Sequence, residues 1–301
     1  MPNNLAAFIP QVWSRRIIAN INQVNIAKAV MTNSNYEGEI QAAGDTVQVR
    51  TFGSITIQDY ARGTPISAEA LQPTKETLVV DIAKYFAFDV DSLDIAQNDI
   101  DAIEGYTNRA GVAMSNAIDT FVFSKASLAL TANKIGTTAA PISITKDTDT
   151  TSVYQQLVYA GLRLDAQNVP ADGRWAIVTP FFKSLILQST TYFIRATDMG
   201  DAIVRSANLG VSDASRLGFI GQAAGFDLYV SNNLPNNGTY WANVYGQGKR
   251  VCYAAQIPAS TLEVMRLETT FATRVRGLLL HGAQVFAEDS KALGVIYTTN
   301  A

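Results

Sequence analysis

The first apolar pattern along the chain has helical spacing and spans residues 10–31. Large side chains recur every three or four positions, on one stripe of a helix, at Trp13, Ile17, Ile21, Val24 and Ala27. The pattern predicts an amphipathic helix from Pro10 to Met31. A turn-rich stretch over 33–44 separates this helix from the rest, so we expect an N-terminal arm that lies on another surface.

Two short segments of strand type follow, and they predict an extended hairpin. Thr46–Arg50 and Ile55–Gln58 have the composition of strands, and Gly53 lies where the turn is needed. The excursion from Gly38 to about Val80 contains few large apolar residues for its length. Because such a long loop without its own core is unusual in a compact monomer, we expect it to lie on a neighbouring subunit.

A long helical pattern follows a strand predicted over Thr77–Val90. Asn98 is a suitable N-cap, and the acids that would stabilise the positive end of the helix dipole are Asp99, Asp101 and Glu104. Apolar residues then recur at three- or four-residue spacing at Ile103, Tyr106, Ala110, Ala113, Ala117 and Phe121. The pattern continues to about Leu128 and predicts a rod of about 45 Å, at 1.5 Å per residue.

Shorter elements begin after a Thr-, Ala- and Asp-rich linker over 131–151. The predicted helices are Ser152–Asn168, with Ser152 as N-cap, and Pro180–Gln188, and the predicted strands are Arg174–Thr179, Phe226–Val230 and Val251–Ala255. This alternation predicts a compact mixed subdomain at about 150–255. Long strands that could pair with Thr77–Val90 are then predicted over Leu262–Leu267, Arg274–Leu280 and Gly294–Thr298.

The composition adds information about the surface. The chain has 301 residues, 48% of them hydrophobic and 16% charged, and its net charge is −3. The low charge content indicates either a surface partly buried against partners or an uncharged polar surface, and composition favours neither. The near balance of positive and negative charges does not indicate tight sequence-independent binding to nucleic acid. Residues 1–36 contain Arg15, Arg16 and Lys28 and no acid, which predicts a helix with a cationic face.

Cys252 is the only cysteine, so the chain contains no intrachain disulfide, which fits either a reducing compartment or indifference to redox conditions. The sequence contains no run of 18 apolar residues, so no transmembrane helix is predicted. The start MPNNLAAFIPQVW lacks the basic and continuous apolar regions of a secretory signal, and we expect none.

Side chains suited to catalysis are few. His281, the one histidine, follows three leucines, and Cys252 lies in the apolar stretch VCYAA, so both are predicted to be core residues. A Ser–His–Asp triad would need His281, and no GxSxG elbow is present. One His and one Cys exclude the common zinc sets.

Two other motifs fail as binding sites. The acidic stretch DVDSLDIAQNDID resembles a calcium loop, but Leu93 and Asp94 occupy the positions that need an oxygen ligand and a glycine. It is predicted to be a solvated turn before a helix. GQGKRV lacks the glycines and spacing of a phosphate loop and is predicted to be a hairpin turn. We therefore predict no catalytic, cofactor-binding or metal-binding residue, and no enzyme.

The order of the elements resembles the major capsid protein of tailed bacteriophages, the Hong Kong 97-type coat fold. GDTVQV, GSITIQDYARGTPI and LVVDIAKYFAFDVDSLDIAQ are similar to the extended loop and its exit in many phage coat proteins. LETTFATRVRGLLLHGAQVFAEDSKALGVIY is similar to the returning peripheral strands. The resemblance covers nearly the whole chain in order. It implies an α+β fold with an arm (1–36), an extended loop (37–80), a peripheral domain (81–148 and 258–301, spine helix at about 98–128) and an axial domain (149–257).

The resemblance implies a structural protein that assembles with itself into pentamers and hexamers. These would form the icosahedral head shell around phage double-stranded DNA, in the virion, after assembly in the host cytoplasm. The extended loop would lie across the adjacent subunit, and the candidates for charged contacts there are Arg50, Asp59, Arg62 and Glu69. Arg15 and Arg16 would face the interior or pair with acids of a neighbour, and the packaged DNA would be contacted weakly.

Two features depart from some members of that family. Residues 51–74 contain no lysine and Lys75 lies at the base of the loop, so we expect a shell without covalent cross-links. The chain starts with the arm itself, so we expect a separate scaffolding protein, beside a portal and possibly a decoration or cement protein.

Two alternatives stay open. An encapsulin-like cellular compartment shares this fold and holds cargo enzymes instead of DNA. A secreted surface-layer or adhesive protein is a structural role of a different class, and the missing signal peptide counts against it.

Overall fold

The computed structural model describes residues 25–35, 46–51, 55–60, 62–63, 68–69, 74–91, 102–145, 151–188, 219–257 and 262–299. The helices are α1 (Ile26–Val30), α2 (Ala102–Ser124), α3 (Val153–Ala166), α4 (Pro180–Gln188) and α5 (Ala287–Ser290). The strands are β1 (Thr32–Asn33), β2 (Thr46–Thr51), β3 (Thr74–Val79), β4 (Ile82–Asp91), β5 (Lys134–Ile135), β6 (Ile142–Ser143), β7 (Arg174–Val178), β8 (Phe219–Ala223), β9 (Phe226–Val230), β10 (Trp241–Gln247), β11 (Val251–Ile257), β12 (Leu262–Arg266), β13 (Ala272–Gln284) and β14 (Leu293–Thr299).

The first sheet is built around β13, its longest strand. β4 pairs antiparallel with one edge of β13, from Ala272 opposite Asp91 to His281 opposite Ile82. β12 and β11 share the other edge, and β1 adds in parallel to β11. The predicted pairing of a strand near 274–280 with one in 77–90 is therefore confirmed.

Alternation along β13 gives this sheet two different sides. The helix side carries Val275, Leu279 and His281, all buried, and packs against α2 in a large apolar cluster. The hairpin side carries Arg276 and Leu278, which are exposed, and continues into a part that the β2–β3 hairpin covers.

The long helix α2 forms where the sequence predicts it, and its last turn continues as a 3₁₀ helix over Lys125–Leu128. Its 23 residues give a length of about 35 Å. The predicted acids at 99 and 101 and the predicted N-cap Asn98 lie outside the described residues. The apolar face was predicted wrongly, because Tyr106 and Ala113 are exposed. The buried face instead carries Thr107, Met114, Ser115, Ile118, Asp119, Val122 and Phe123.

The second sheet has the strand order β5-β14-β10-β7-β9-β8, with β6 beside β14. All residues of β7 are buried, as its predicted role requires. α3 and α4 cover this sheet with a core that includes Leu157, Leu164 and Phe182. Each such fully buried side chain contributes roughly 1.5–3 kcal/mol.

The starts of these two helices confirm the predicted signals. The Ser152 side chain accepts a hydrogen bond from the backbone N–H of Gln155 and caps α3. Pro180 is the first residue of α4, where its missing N–H has no helical partner to lose.

The predicted hairpin within 46–58 was wrong in its second strand. β2 pairs with β3, with Val47 opposite Leu78, whereas Ile55–Gln58 is irregular and exposed. The physical reason is that Leu78 is fully buried in a core with residues distant in sequence, which anchors β3. Gly53, the predicted turn residue, lies outside the described residues.

Other boundaries also moved. The single strand predicted over 77–90 is divided at Val80 and Asp81 into β3 and β4. The predicted linker over 131–151 contributes β5 and β6, both parallel to β14. β8 and β10 were not predicted. Of the predicted helix from Pro10 to Met31, α1 lies in the described part and the remainder lies outside it.

Chain connections exchange strands between the two sheets. β10 lies in the second sheet and β11 in the first, so GQGKRV joins the sheets and the predicted hairpin turn was wrong. Gly248 there has φ of +64°, which favours glycine. β14 lies in the second sheet, not beside β4. Sheet membership could not be assigned from the sequence here, because a local pattern identifies a strand but not its partner.

Candidate intersubunit surface

The base of the β2–β3 hairpin is fixed to the body of the subunit. Its inner side, with Val47 and Leu78, packs on Cys252, Ala254 and Phe286. A Glu76 carboxylate oxygen also accepts a hydrogen bond of 2.9 Å from the backbone N–H of Ala287. The base is therefore fixed to the body both by apolar packing and by this hydrogen bond.

The outer side of the same hairpin carries two cations opposite each other. Arg50 pairs across the strands with Lys75, and both side chains are exposed. Like charges directly opposite in an antiparallel pair destabilise the pairing. Within the described ranges neither cation forms an ion pair. This side of the hairpin therefore presents uncompensated positive charge.

The described part of the loop exposes apolar side chains. Ile57 is 95% exposed, and Ile55 and Tyr60 are each 70% exposed. Glu69 accepts a hydrogen bond of 3.0 Å from the backbone N–H of Thr56. This bond joins the described residues 55–60 to residues 68–69, while the apolar side chains of 55–60 face water.

The four predicted contact residues divide into two groups. Arg50, Asp59 and Arg62 are exposed, and none of the three forms an ion pair in the described part of the chain. Glu69 is occupied by its hydrogen bonds to Thr56. Arg15 and Arg16, the predicted inner-face cations, lie outside the described residues.

A second exposed apolar surface lies on the hairpin side of the first sheet, beyond the hairpin. We call it the open sheet face, and it comprises Tyr85, Ala87, Asp89, Glu263, Met265, Arg274, Arg276 and Leu278. Tyr85 is 79% exposed, directly opposite the exposed Leu278. A groove of about 490 Å³ runs over the small side chain of Ala87 between longer neighbours.

Two ion pairs hold the long side chains around this groove. Arg274 donates two hydrogen bonds to Asp89, at 2.6 and 2.7 Å, and this bonding lowers the pKa of the Asp89 carboxyl. Arg276 donates to Glu263 at 2.7 Å. Exposed ion pairs add little stability, and here they hold Glu263, Arg274 and Arg276 in place along the groove that these residues line.

Sequence reasoning placed the open sheet face in strands but did not identify it as a surface. Tyr85 lies in YFAF and Leu278 in a leucine run, and both patterns resemble buried strands. The alternation of each strand was visible, but only the register between β4 and β13 places Tyr85 and Leu278 together.

The two residues tested as catalytic candidates are buried. His281 lies between the rings of Phe121 and Tyr253, at centroid distances of 4.7 and 5.7 Å. Burial, with Lys84 nearby, lowers the pKa of His281 to about 4. Burial raises the pKa of the Cys252 thiol to about 11, so neither group is suited to attack a substrate near neutral pH.

Metal and membrane features give no further site in the described ranges. These ranges bring together no group of three or more His, Cys, Asp or Glu side chains that could hold a metal ion. Asp89 and Asp91 of the acidic stretch belong to β4 rather than to a turn. Among the described helices, none combines the length and apolar character that a membrane span requires.

Comparisons with known proteins give a family match and several structural matches. A family model described as phage capsid protein matches residues 75–296. A solved chain from Mycobacterium phage Che8 is 26% identical, with a TM-score of 0.69 and coverage of 89% of both chains. No curated protein matches the sequence.

Two more distant structures show the fold alone. The capsid of Ralstonia phage GP4 is 14% identical, with a TM-score of 0.64 over 89% of this chain and 86% of that chain. A virus-like particle from Pyrococcus furiosus is 11% identical, with a TM-score of 0.57 over 97% of this chain and 100% of that chain. Since phage capsids and this particle share the fold, the family match, rather than the fold, identifies the role of the chain.

Proposed function

The chain belongs to the phage capsid protein family and is a major capsid protein, and we propose that its loop binds the open sheet face of the next subunit. The role is structural. Copies of the chain assemble into a multimeric shell. In the proposed contact, the loop of one subunit binds the open sheet face of the next, because each subunit carries both surfaces.

The observation that carries the proposal is the nearly complete exposure of Ile57, beside the hydrogen bond from the Thr56 backbone N–H to Glu69. The hairpin base packs on the body, and the hydrogen bond between Thr56 and Glu69 joins two parts of the loop. Binding would therefore remove less conformational entropy from the loop. An apolar side chain in this setting is suited to bury itself against a partner.

The receiving surface is present on the same chain. The groove beside Tyr85 and Leu278 is lined mainly by apolar atoms, and both residues stay exposed in the single subunit. The described residues of the loop therefore leave the groove of their own subunit open. Contact between two different patches is head-to-tail, and it closes into a ring when the rotation permits. We propose rings of five and six subunits on this basis.

Charges support the same contact. Arg50, Lys75 and Arg62 are exposed cations on the hairpin and its loop. We propose that they pair with acids of the neighbouring subunit, which would relieve the repulsion between Arg50 and Lys75. Asp59, an exposed acid that forms no ion pair in the described part of the loop, would pair with a neighbouring base.

The wider assembly follows from the family role. We propose an icosahedral head that encloses double-stranded DNA, built in the host cytoplasm with a separate scaffolding protein and a portal, and with or without a decoration or cement protein. The net charge of −3 supports weak contact with DNA, with Arg15 and Arg16 facing the interior or a neighbouring acid. We further propose that the first sheet and α2 form the peripheral domain, and that the second sheet with α3 and α4 forms the axial domain.

The test substitutes the exposed isoleucine and a neighbour on the same loop. Ile57→Asp should leave the fold unchanged, because the side chain is exposed in the subunit, but should lower the yield of shells at least tenfold. Losing one buried isoleucine costs about 1.5–3 kcal/mol at each contact. Gln58→Asp adds the same charge one position away and should assemble normally.

Sedimentation and electron microscopy of both variants measure the shell yield, and circular dichroism checks folding. Normal shells from Ile57→Asp would reject the loop contact while leaving the capsid role intact. Equal loss of assembly in both variants would show that added negative charge on the loop, rather than the loss of Ile57, is responsible.

A further inference from the structure

The loop before β10 carries an asparagine that is followed directly by a glycine in a surface turn. Asn237 and Gly238 are both exposed, and they form the only Asn–Gly pair in the sequence. A β-bridge between Asn236 and Trp241 closes the turn. The pair therefore lies at the tip of a closed turn, where water reaches both residues.

The side chain of Asn237 is held by its oxygen. Asn237 Oδ1 accepts a hydrogen bond of 3.1 Å from the backbone N–H of Thr239 and one of 3.2 Å from that of Tyr240. Both neighbours are donors, so the side-chain atom that faces them is the oxygen rather than the nitrogen. Two N–H groups on one carbonyl oxygen stabilise negative charge that develops there, as the donors of an oxyanion hole do.

The other atoms that a ring closure needs are unoccupied. Within the described part of the chain, neither the Asn237 side-chain nitrogen nor the Gly238 backbone N–H forms a hydrogen bond. Gly238 has a φ of +84°, which favours glycine, and it has no side chain to obstruct its own backbone nitrogen. That nitrogen and Asn237 Cγ belong to adjacent residues, so their reaction is intramolecular and needs no diffusional encounter.

We propose that Asn237 is a self-modification site, at which the folded subunit converts the side-chain amide into a carboxylate. The Gly238 backbone nitrogen attacks Asn237 Cγ, a bond forms between these two atoms, and negative charge collects on Oδ1. The bond from Cγ to Nδ2 then breaks. The leaving nitrogen takes up the proton that the Gly238 nitrogen gives up, and it departs as ammonia. The product of this step is a cyclic imide.

Water completes the reaction. It adds to one of the two carbonyl carbons of the imide and opens the ring, which gives aspartate or isoaspartate according to the carbon attacked. The overall reaction consumes one water and releases one ammonia, with no oxidation or reduction. The only reactant from outside the chain is therefore the solvent.

The conversion changes the surface and leaves the core in place. Each converted subunit gains one negative charge, so its net charge changes from −3 to −4. Isoaspartate also lengthens the main chain of the turn by one methylene group. On the N-terminal side of the turn, Leu234 is buried and the Asn233 side chain donates a bond of 3.0 Å to Asn116 on α2. We therefore expect older subunits to keep the fold and to differ from new ones at this turn.

Peptide mapping by mass spectrometry tests the proposal on the full-length subunit. After incubation, an acid should accumulate at position 237 as both aspartate and isoaspartate. The rate should be about tenfold higher at pH 8 than at pH 7, because base generates the attacking nitrogen. Asn236 lies in the same peptide, is also exposed and precedes a residue with a side chain, so it serves as the internal control and should keep its amide.

Two variants test the route. Gly238→Ala places a methyl group beside the attacking nitrogen and should slow the conversion by about tenfold, because ring closure depends on close approach. Asn237→Gln keeps an amide but moves its carbon one bond further away, and it should also convert more slowly. Circular dichroism checks the folding of both, since alanine is strained at the φ of Gly238.

Two results would overturn the proposal. A folded wild-type subunit that keeps its amide would do so, whether or not the urea-unfolded chain loses it, because the turn would then protect Asn237. Conversion of folded Gly238→Ala and Asn237→Gln at the wild-type rate would also do so, because the amide would then be hydrolysed directly by water.

Discussion

At the scale of single residues, His281 shows what burial does to an ionisable side chain. Both ring nitrogens are buried and lack hydrogen-bond partners, and the ring lies between two aromatic rings. Charging such a ring would place an unpaired cation in the core between β13 and α2. His281 therefore acts as a neutral packing residue, as its apolar sequence context predicts.

This burial makes stability depend on acidity. The pKa of His281 is about 4 in the fold against 6.5 when exposed, so the unfolded chain binds the extra proton. The contribution of neutral His281 to the free energy of unfolding is fully present above pH 6.5. It is lost as the pH falls toward 4, and the loss from this group is about 3 kcal/mol. His281→Phe should remove that part of the loss. Urea unfolding at pH 7 and pH 4.5 measures it, and an unchanged difference between the two pH values in the variant would contradict the assignment.

At the scale of elements, the crossing of β3 over β13 fixes where the loop leaves the body. A methyl group at Gly282 would overlap the carbonyl oxygen of Val79. The hairpin can therefore pack this closely on the first sheet only because β13 has a glycine at the crossing. The attachment of the loop depends on this contact as well as on Leu78 and its neighbours.

Gly282→Ala should therefore weaken the subunit by about 2–3 kcal/mol, as overpacking does in tightly packed cores. Gly105→Ala provides the matched control, because nothing lies within 4 Å of the added methyl group on α2. The control should gain about 0.5–1 kcal/mol from better helix propensity. Urea unfolding midpoints compare the two variants, and a Gly282→Ala subunit as stable as wild type would exclude the close crossing.

At the scale of the whole molecule, one apolar cluster joins the two sheets. It contains Leu279 and Tyr253 of the first sheet and Trp175 and Val295 of the second, with Ile118 of α2 among them. The subunit body is therefore continuous, and the surfaces left uncovered are those suited to contact other copies. Because the loop segment 51–74 contains no lysine, we expect those surfaces to interact by apolar and ionic contacts rather than by a covalent link.

Mature particles should consequently separate into single chains under denaturing conditions. A denaturing gel should show one band at 32.5 kDa for this protein. A ladder of multiples that persists in denaturant and reducing agent would show covalent links between subunits and would contradict this prediction.

The sequence by itself determined the local elements that have a strong physical signal. The Ser152 cap, Pro180 at a helix start and the long pattern around α2 each depend on neighbouring residues only, and all three are found in the structure. The family resemblance also followed from the order of the elements. Such local signals are reliable because their causes involve residues only a few positions apart. These causes are the unpaired backbone N–H groups at a helix start and the helical spacing of apolar residues.

Tertiary structure alone decided which elements meet. The partner of β2, the sheets of β11 and β14, and the buried face of α2 all depend on contacts between distant residues. Asp119 carried a partial signal, since it lies four residues after Ser115 and three before Val122 on one helix face. Its hydrogen bonds from the backbone N–H groups of Ile26 and Ala27, and the meeting of Tyr85 with Leu278, became visible only in the fold, because strand register and helix packing are set by global burial rather than by local preference.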